Sequence, residues 1–362
     1  MSQHDTITPR PGILEIAPYV GGAATIEGAN RSIKLSANEN PFGPSARAIE
    51  AYRGLADKLG LYPEAHEPLA QAIAQVHGLE ADRVVLGAGS DEIIALLVRA
   101  YAGPGDEVLF SEHGFLMYRL SAMAAGATPV TAPETNLTTD VDALIAAMTE
   151  RTKLVFVANP NNPTGTMIGR ADLERLADAI PPQALLVIDA AYAEYLKPSD
   201  DDGATELAKS RDNVVMTRTF SKIYGLAALR LGWAYAPGHV CAVYHRVRGP
   251  FNVTVPALEA GLAAIRDQAY VADCRVKNEV WRDWLAREIE AAGLAVVPSK
   301  GNFLLVEAGD DVSALDAHLK GRGLIARRVD GYGLPGHLRI SVGSEEACRL
   351  VAEAIAQFKA GT

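Results

Sequence analysis

The stretch Met216-Thr217-Arg218-Thr219-Phe220-Ser221-Lys222-Ile223-Tyr224-Gly225-Leu226-Ala227-Ala228-Leu229-Arg230 joins an apolar run to a set of polar side chains. The run at 213–216 has the length and composition of a buried strand. Lys222 follows it closely, with hydroxyls at Thr219 and Ser221, and Arg230 lies eight residues beyond the lysine. A lysine in such a place can condense with an aldehyde, and hydroxyls beside a guanidinium can hold a phosphate. A surface loop would carry the same residues, so the rest of the chain has to decide between the two.

Working outward, short apolar runs alternate with amphipathic ones. Strands are expected at 83–86, 107–110, 153–157, 184–189 and 214–216, and helices at 68–77, 93–101, 118–125 and 170–180. That alternation implies an α/β fold with a large, mostly parallel sheet covered on both faces. Ligands of such sheets bind at the carboxyl ends of the strands. Gly89-Ser90-Asp91, Asn162, Asp189, Tyr192 and Lys222 all fall there. Before this region, 13–19 reads as a short helix stopped by Pro18, and the Asn- and Pro-rich segment 34–44 reads as a loop. After it, 268–292 reads as one long amphipathic helix with Val271, Val276, Val280, Trp281, Trp284 and Leu285 facing the core. Strands at 294–297, 303–306, 324–326 and 338–342 and helices at 312–320 and 345–358 then form a smaller α/β unit.

A chain of 362 residues, 49% hydrophobic and 22% charged, has the size of two domains with ample core. The net charge of −10 argues against a general nucleic-acid partner, without excluding a local basic pocket. Cys241, Cys274 and Cys348 are far apart and fit no metal-ligand spacing, nor do the eight histidines; no metal is expected. Reduced cysteines and a polar N-terminus without a signal-like run imply a cytoplasmic protein. No apolar run approaches ~20 residues, so no membrane span is expected.

Each constellation has a plain and a chemical reading. Gly87-Ala88-Gly89-Ser90-Asp91 is a strand-to-helix turn, either a tight turn with Ser90 as the helix cap or a place where backbone N–H groups meet a phosphate. It lacks the third glycine of a dinucleotide site. Asp189, ending an apolar strand, is either a helix cap or a carboxylate for a pyridine nitrogen. Tyr192 and Asn162 are placed to reach a phenolic oxygen, and Phe115 either stacks on a ring or fills the core. Arg339 suits a carboxylate or a phosphate, or faces solvent from an edge strand. Arg327 and Arg328 invite the same comparison. One cofactor offers an aldehyde, a phosphate, a pyridine nitrogen and a phenolic oxygen together: pyridoxal 5′-phosphate (PLP).

Asn161-Asn162-Pro163-Thr164-Gly165, Asp189 with Tyr192, and Ser221-Lys222 with Arg230 stand in the order found in aminotransferases of PLP fold type I, and the chain resembles that family over nearly its whole length. Within it, Ser36-Ala37-Asn38-Glu39-Asn40-Pro41-Phe42-Gly43, Tyr62-Pro63, Gly89-Ser90-Asp91-Glu92 and Gly331-Tyr332-Gly333-Leu334-Pro335 resemble the histidinol-phosphate branch; aromatic aminotransferases share several of these marks. The resemblance implies the aspartate aminotransferase-like fold, with an arm at 1–35, a PLP-binding domain at 36–267, and a linking helix with the small domain at 268–362. It implies Lys222 as the residue bonded to PLP. Ala88, Gly89, Ser90, Thr219, Ser221 and Arg230 would lie around the phosphate, Asp189 at the ring nitrogen, Tyr192 and Asn162 at the phenolic oxygen, and Phe115 on the ring. Tyr62 would reach the phosphate of a second subunit's cofactor, implying a homodimer. Arg339 would hold the substrate anion, with Arg327, Tyr19 and Asn38 nearby. The expected reaction interconverts histidinol phosphate and 2-oxoglutarate with imidazole acetol phosphate and glutamate. An aromatic amino-acid aminotransferase, or a PLP decarboxylase or lyase, is the alternative. Arg328, where a proline is usual, and Ala190, where a glutamate is common, depart from the pattern.

Overall fold

The computed structural model describes residues 8–18, 21–26, 31–58 and 60–361. A seven-stranded sheet has the order Val84–Gly87, Gly232–Tyr235, Val214–Thr219, Leu185–Asp189, Thr152–Ala158, Glu107–Ser111 and Thr128–Ala132. The last five strands run parallel, while Gly232–Tyr235 is antiparallel to both neighbours. Side chains alternate between the faces of a strand. Val155, Val157, Leu186, Ile188, Val214 and Met216 therefore join one core, and Leu154, Phe156, Leu185, Val187 and Val215 the other. Helix Arg170–Ala179 covers the first face with Leu173 and Leu176, and helix Ser90–Tyr101 covers the second with Ile93, Ile94 and Leu97. Burial on both faces is why these strands read as continuous apolar runs; each fully buried aliphatic side chain contributes about 1.5–3 kcal/mol.

A four-stranded antiparallel sheet follows, in the order Ala295–Val297, Phe303–Glu307, His337–Ser341 and Arg327–Arg328. Ile33–Lys34 pairs in parallel with Leu324–Ile325. This tie holds the 36–44 loop between the two sheets. Asn38 N–H donates to Ser341 Oγ at 2.8 Å, and Asn302 Nδ2 donates to the Asn38 carbonyl at 3.0 Å.

Three local expectations change. The helix expected at 13–19 is a single 3-10 turn, Ile13–Glu15. The long helix Gln268–Ala291 buries Val271, Cys274, Asn278, Arg282, Leu285 and Ile289, whereas Val276 and Val280 are each 56% exposed. The buried stripe follows helical spacing of three and four, and the two valines lie off it. Asn278 can occupy it because its Nδ2 donates to the Gly301 carbonyl at 3.2 Å. The strands Thr128–Ala132 and Gly232–Tyr235 had no counterpart in the apolar pattern. The first is an edge strand, half exposed, which admits Pro129. The second is only four residues long.

Candidate active site

Lys222 sits in the turn after Val214–Thr219. Ser221 N–H donates to Thr219 Oγ1 at 3.1 Å, and Phe220 N–H to the Leu231 carbonyl at 3.0 Å. The turn thereby aims the lysine back over the strand ends, where Nζ lies 3.2 Å from the Ala37 carbonyl and 5.7 Å from the centre of the Tyr192 ring. Burial, followed by repulsion from Arg339, pushes its pKa down from 10.5 to about 8. A substantial fraction of the amine is then neutral near physiological pH and able to act as a nucleophile.

Asp189 ends the strand Leu185–Asp189 and is no helix cap. Its carboxylate accepts from Tyr118 Oη at 2.8 Å and from Thr217 Oγ1 at 3.0 Å. Burial pushes its pKa up to about 6, against the pull of these two donors. The Tyr192 hydroxyl accepts from Asn38 Nδ2 at 2.9 Å, which leaves its own proton to donate. Asn162 Oδ1 accepts from Arg339 Nη1. Phe115, at the start of helix Leu116–Ala125, lines the same pocket as Asn38, Asn162, Asp189, Tyr192 and Lys222.

At the end of the pocket away from Asn162, Arg230 lies among hydroxyls of a kind that can hold an anion. Arg230 Nη1 donates to Ser221 Oγ at 3.2 Å and Nη2 to Asp91 Oδ2 at 3.0 Å. Thr219, Ser221, Ser90 and Arg230 line this end. The N–H groups of Ala88 and Gly89, expected beside the phosphate, have acceptors within the turn. The Ala88 N–H donates to Glu92 Oε2 at 2.7 Å and the Gly89 N–H to the Gly87 carbonyl at 2.8 Å. Ser90 and Asp91 are the first two residues of the helix, so their N–H groups have no acceptor within it. Gly89, the helix cap in place of Ser90, has φ +87, and a Cβ on it would lie 2.5 Å from Arg230 Nη2. Gly232, which the sequence reading passed over, lets its strand touch this turn; its Cβ would fall 2.3 Å from Ser90 N.

At the opposite end, Arg339 lies in an interior strand and is buried, not on a solvent-facing edge. Its Nη2 donates to the Ser36 carbonyl at 2.8 Å, and among the described residues its Nε meets no acceptor. Arg327 lines the pocket beside it. Arg328 turns to Asp330 and Ser313, with Nε 3.1 Å from Asp330 Oδ2 and Nη1 2.7 Å from Ser313 Oγ. Tyr62 is not in this pocket. It is 75% exposed and stacks on Phe251 at 4.5 Å in a neighbouring groove that also contains Ala88 and Arg230. Tyr19 lies outside the described residues. Among the described residues no cluster of metal ligands occurs, and no helix is long and apolar enough to cross a membrane.

The family aminotransferase class I and II matches residues 30–355. The chain is 56% identical over 357 residues to histidinol-phosphate aminotransferase of Dinoroseobacter shibae, covering 98% of each chain. It is 55% identical over 364 residues to the protein of that name from Paracoccus denitrificans, covering 99% of this chain and 98% of the other. Among solved structures, histidinol-phosphate aminotransferase from Sinorhizobium meliloti in complex with pyridoxal-5′-phosphate superposes with a TM-score of 0.90 at 28% identity, covering 99% of both chains. Aspartate aminotransferase of Thermus thermophilus shares the fold, with a TM-score of 0.80 at 24% identity over 90% of this chain and 91% of that one. The Lys222 turn and the buried Asp189 carboxylate thus lie in a chain that matches these proteins over nearly its full length: the protein belongs to the class I and II aminotransferases and, within them, to the histidinol-phosphate aminotransferase family.

Proposed function

We propose that the protein is a PLP-dependent aminotransferase of histidine biosynthesis, interconverting histidinol phosphate and 2-oxoglutarate with imidazole acetol phosphate and glutamate. The observation that carries this is the single pocket joining Lys222 and Asp189 at its centre to anion sites at both ends, Arg230 with Ser221 and Arg339 with Arg327. Its residues fit PLP. The amine of Lys222 is half-titrated near pH 8. The cradle around Arg230 is one that a Cβ on Gly89 would fill. Asp189 supplies a buried carboxylate for the ring nitrogen, and Tyr192 a phenol whose proton is free to donate. When bound, PLP supplies an electron-withdrawing ring that stabilises negative charge developing at a substrate's α-carbon.

The chain's own residues do the rest. Lys222 would hold the cofactor through its amine at the aldehyde and, once freed as a neutral amine, would serve as the base and acid for the substrate's α-proton. Asn162 and Tyr192 would orient the ring through hydrogen bonds to its phenolic oxygen, and Phe115 would supply an apolar surface for it. Arg339, with Arg327, receives the carboxylate of one substrate and the phosphate of the other. Assays with 2-oxoglutarate test the assignment: kcat/KM for histidinol phosphate should exceed that for phenylalanine roughly 100-fold, since a phosphate dianion can engage both Arg339 and Arg327 where phenylalanine offers a singly charged carboxylate. A preference for phenylalanine would move the assignment to aromatic substrates, and near-wild-type turnover by Lys222→Ala would sink it.

The working unit is a homodimer, with 1–35 as an arm of the small domain, 36–267 as the cofactor-binding domain and 268–362 as the linking helix and small domain. What supports the dimer is the groove of Leu61, Tyr62, Phe251 and Tyr52, large apolar side chains left exposed beside Ala88 and Arg230. A second copy seated there would bring its Tyr62 to the phosphate end of the pocket. Light scattering should give twice the chain mass, and Tyr62→Ala should weaken PLP binding. The three buried free thiols support a cytoplasmic location.

A further inference from the structure

The side of Asp189 turned away from the pocket is closed by a residue that no motif singled out. Tyr118 is fully buried in helix Leu116–Ala125, and its hydroxyl donates to Asp189 Oδ2 at 2.8 Å while Thr217 Oγ1 donates to Oδ1 at 3.0 Å. The ring cannot swing away. It stacks on Phe156, with centres 4.6 Å apart and planes 11° apart, and meets Phe115 edge-on at 5.8 Å and 87°. One side chain therefore touches both the buried carboxylate and an aromatic ring of the pocket wall.

We propose that Tyr118 is a positioning residue that keeps Asp189 ionised and fixed for the ring nitrogen of the cofactor. The inference rests on the reading of the pocket as a PLP site. Burial favours the neutral acid, and the charge of Asp91 adds to that, so the donors Tyr118 and Thr217 oppose both. The other titratable group facing Tyr118 and Asp189 is Tyr192. Burial and the charge of Asp189 hold the Tyr118 phenol well above its usual range, so it remains a donor throughout. Without the hydroxyl, Oδ2 of Asp189 loses the donor that Tyr118 supplies. The acid then takes up its proton at a higher pH and ceases to pair with a protonated ring nitrogen.

The test is PLP affinity, measured by equilibrium dialysis of wild type and Tyr118→Phe across about pH 6 to 9, with a thermal melt to verify folding. The loss of a hydrogen bond to a charged group should raise the Kd roughly 10-fold near pH 7, with the gap closing as pH rises. In an Asp189→Asn background the same substitution should have little further effect. An unchanged Kd, or a rise equal at every pH, overturns the proposal. Should Tyr118→Phe not fold, replacing Tyr118 with 3,5-difluorotyrosine keeps the packing and strengthens the donor. That replacement should tighten PLP at low pH, and an unchanged Kd would again overturn the proposal. Failure of wild type to bind PLP would instead overturn the reading of the pocket itself.

Discussion

Arg327 and Arg339 are direct partners across adjacent antiparallel strands, both on the pocket side of the small sheet. Like charges in that register destabilise a sheet. The arrangement is consistent with an anion-binding role, because an anion between the two guanidiniums turns repulsion into attraction. Inorganic phosphate should therefore raise the melting temperature of the wild type and do so less for Arg327→Gln. Arg339→Gln also leaves the Ser36 carbonyl without its donor, and should lower kcat/KM for both substrates by roughly 100-fold. Equal phosphate stabilisation of wild type and Arg327→Gln would remove Arg327 from the anion site.

Lys222 predicts a signed pH effect. Its pKa falls from 10.5 unfolded to about 8 folded. Between those values the unfolded chain holds a proton that the folded one has released, so stability rises with pH across that window and the penalty is complete below it. Lys222→Met should raise the melting temperature of the cofactor-free protein near pH 7 by more than near pH 10. A gain independent of pH, seen by calorimetry, would contradict this. The rate of PLP capture by the wild type should climb to about pH 8 and then level off.

Gly232 is held to glycine by contact, not by conformation. A Cβ there would meet Ser90 N at 2.3 Å and push the helix start out of the anion cradle. Gly232→Ala should destabilise the fold by about 1–3 kcal/mol and weaken PLP binding in the same variant. Chemical denaturation and dialysis measure the two; an unaltered Kd would separate Gly232 from the cradle.

His77 should govern part of the acid limb of stability. Half-buried beside Trp233, with ring centres 5.2 Å apart, it is pushed down to about 3, first by desolvation and then by the charge of Arg218. The unfolded histidine takes up a proton near 6.5 while the folded one does not, so stability is present above that value and is lost as pH falls toward 3. His77→Leu should flatten the loss between about pH 6 and 4 in urea titrations; parallel curves would exclude the effect.

The large sheet was legible because its strands are buried on both faces and read as apolar runs, and the lysine turn because Lys222, Ser221 and Arg230 are close in sequence. The face of the long helix was not, because Asn278 and Arg282 occupy its buried stripe while Val276 and Val280 face outward. Local patterning cannot find a polar residue whose partner, such as the Gly301 carbonyl, lies across the fold. The same holds for Tyr118 and Gly232, which meet Asp189 and Ser90 only through tertiary packing. Ala88 and Gly89 were placed correctly at the turn, but their N–H groups are taken by Glu92 and Gly87, a detail that no spacing reveals.

The central claim is that Lys222 carries the cofactor. The protein should be incubated with PLP, reduced with borohydride, digested, and the modified peptide located by mass spectrometry. The account predicts a single stoichiometric adduct on the peptide containing Lys222. An adduct on other lysines with Lys222 unmodified would contradict it.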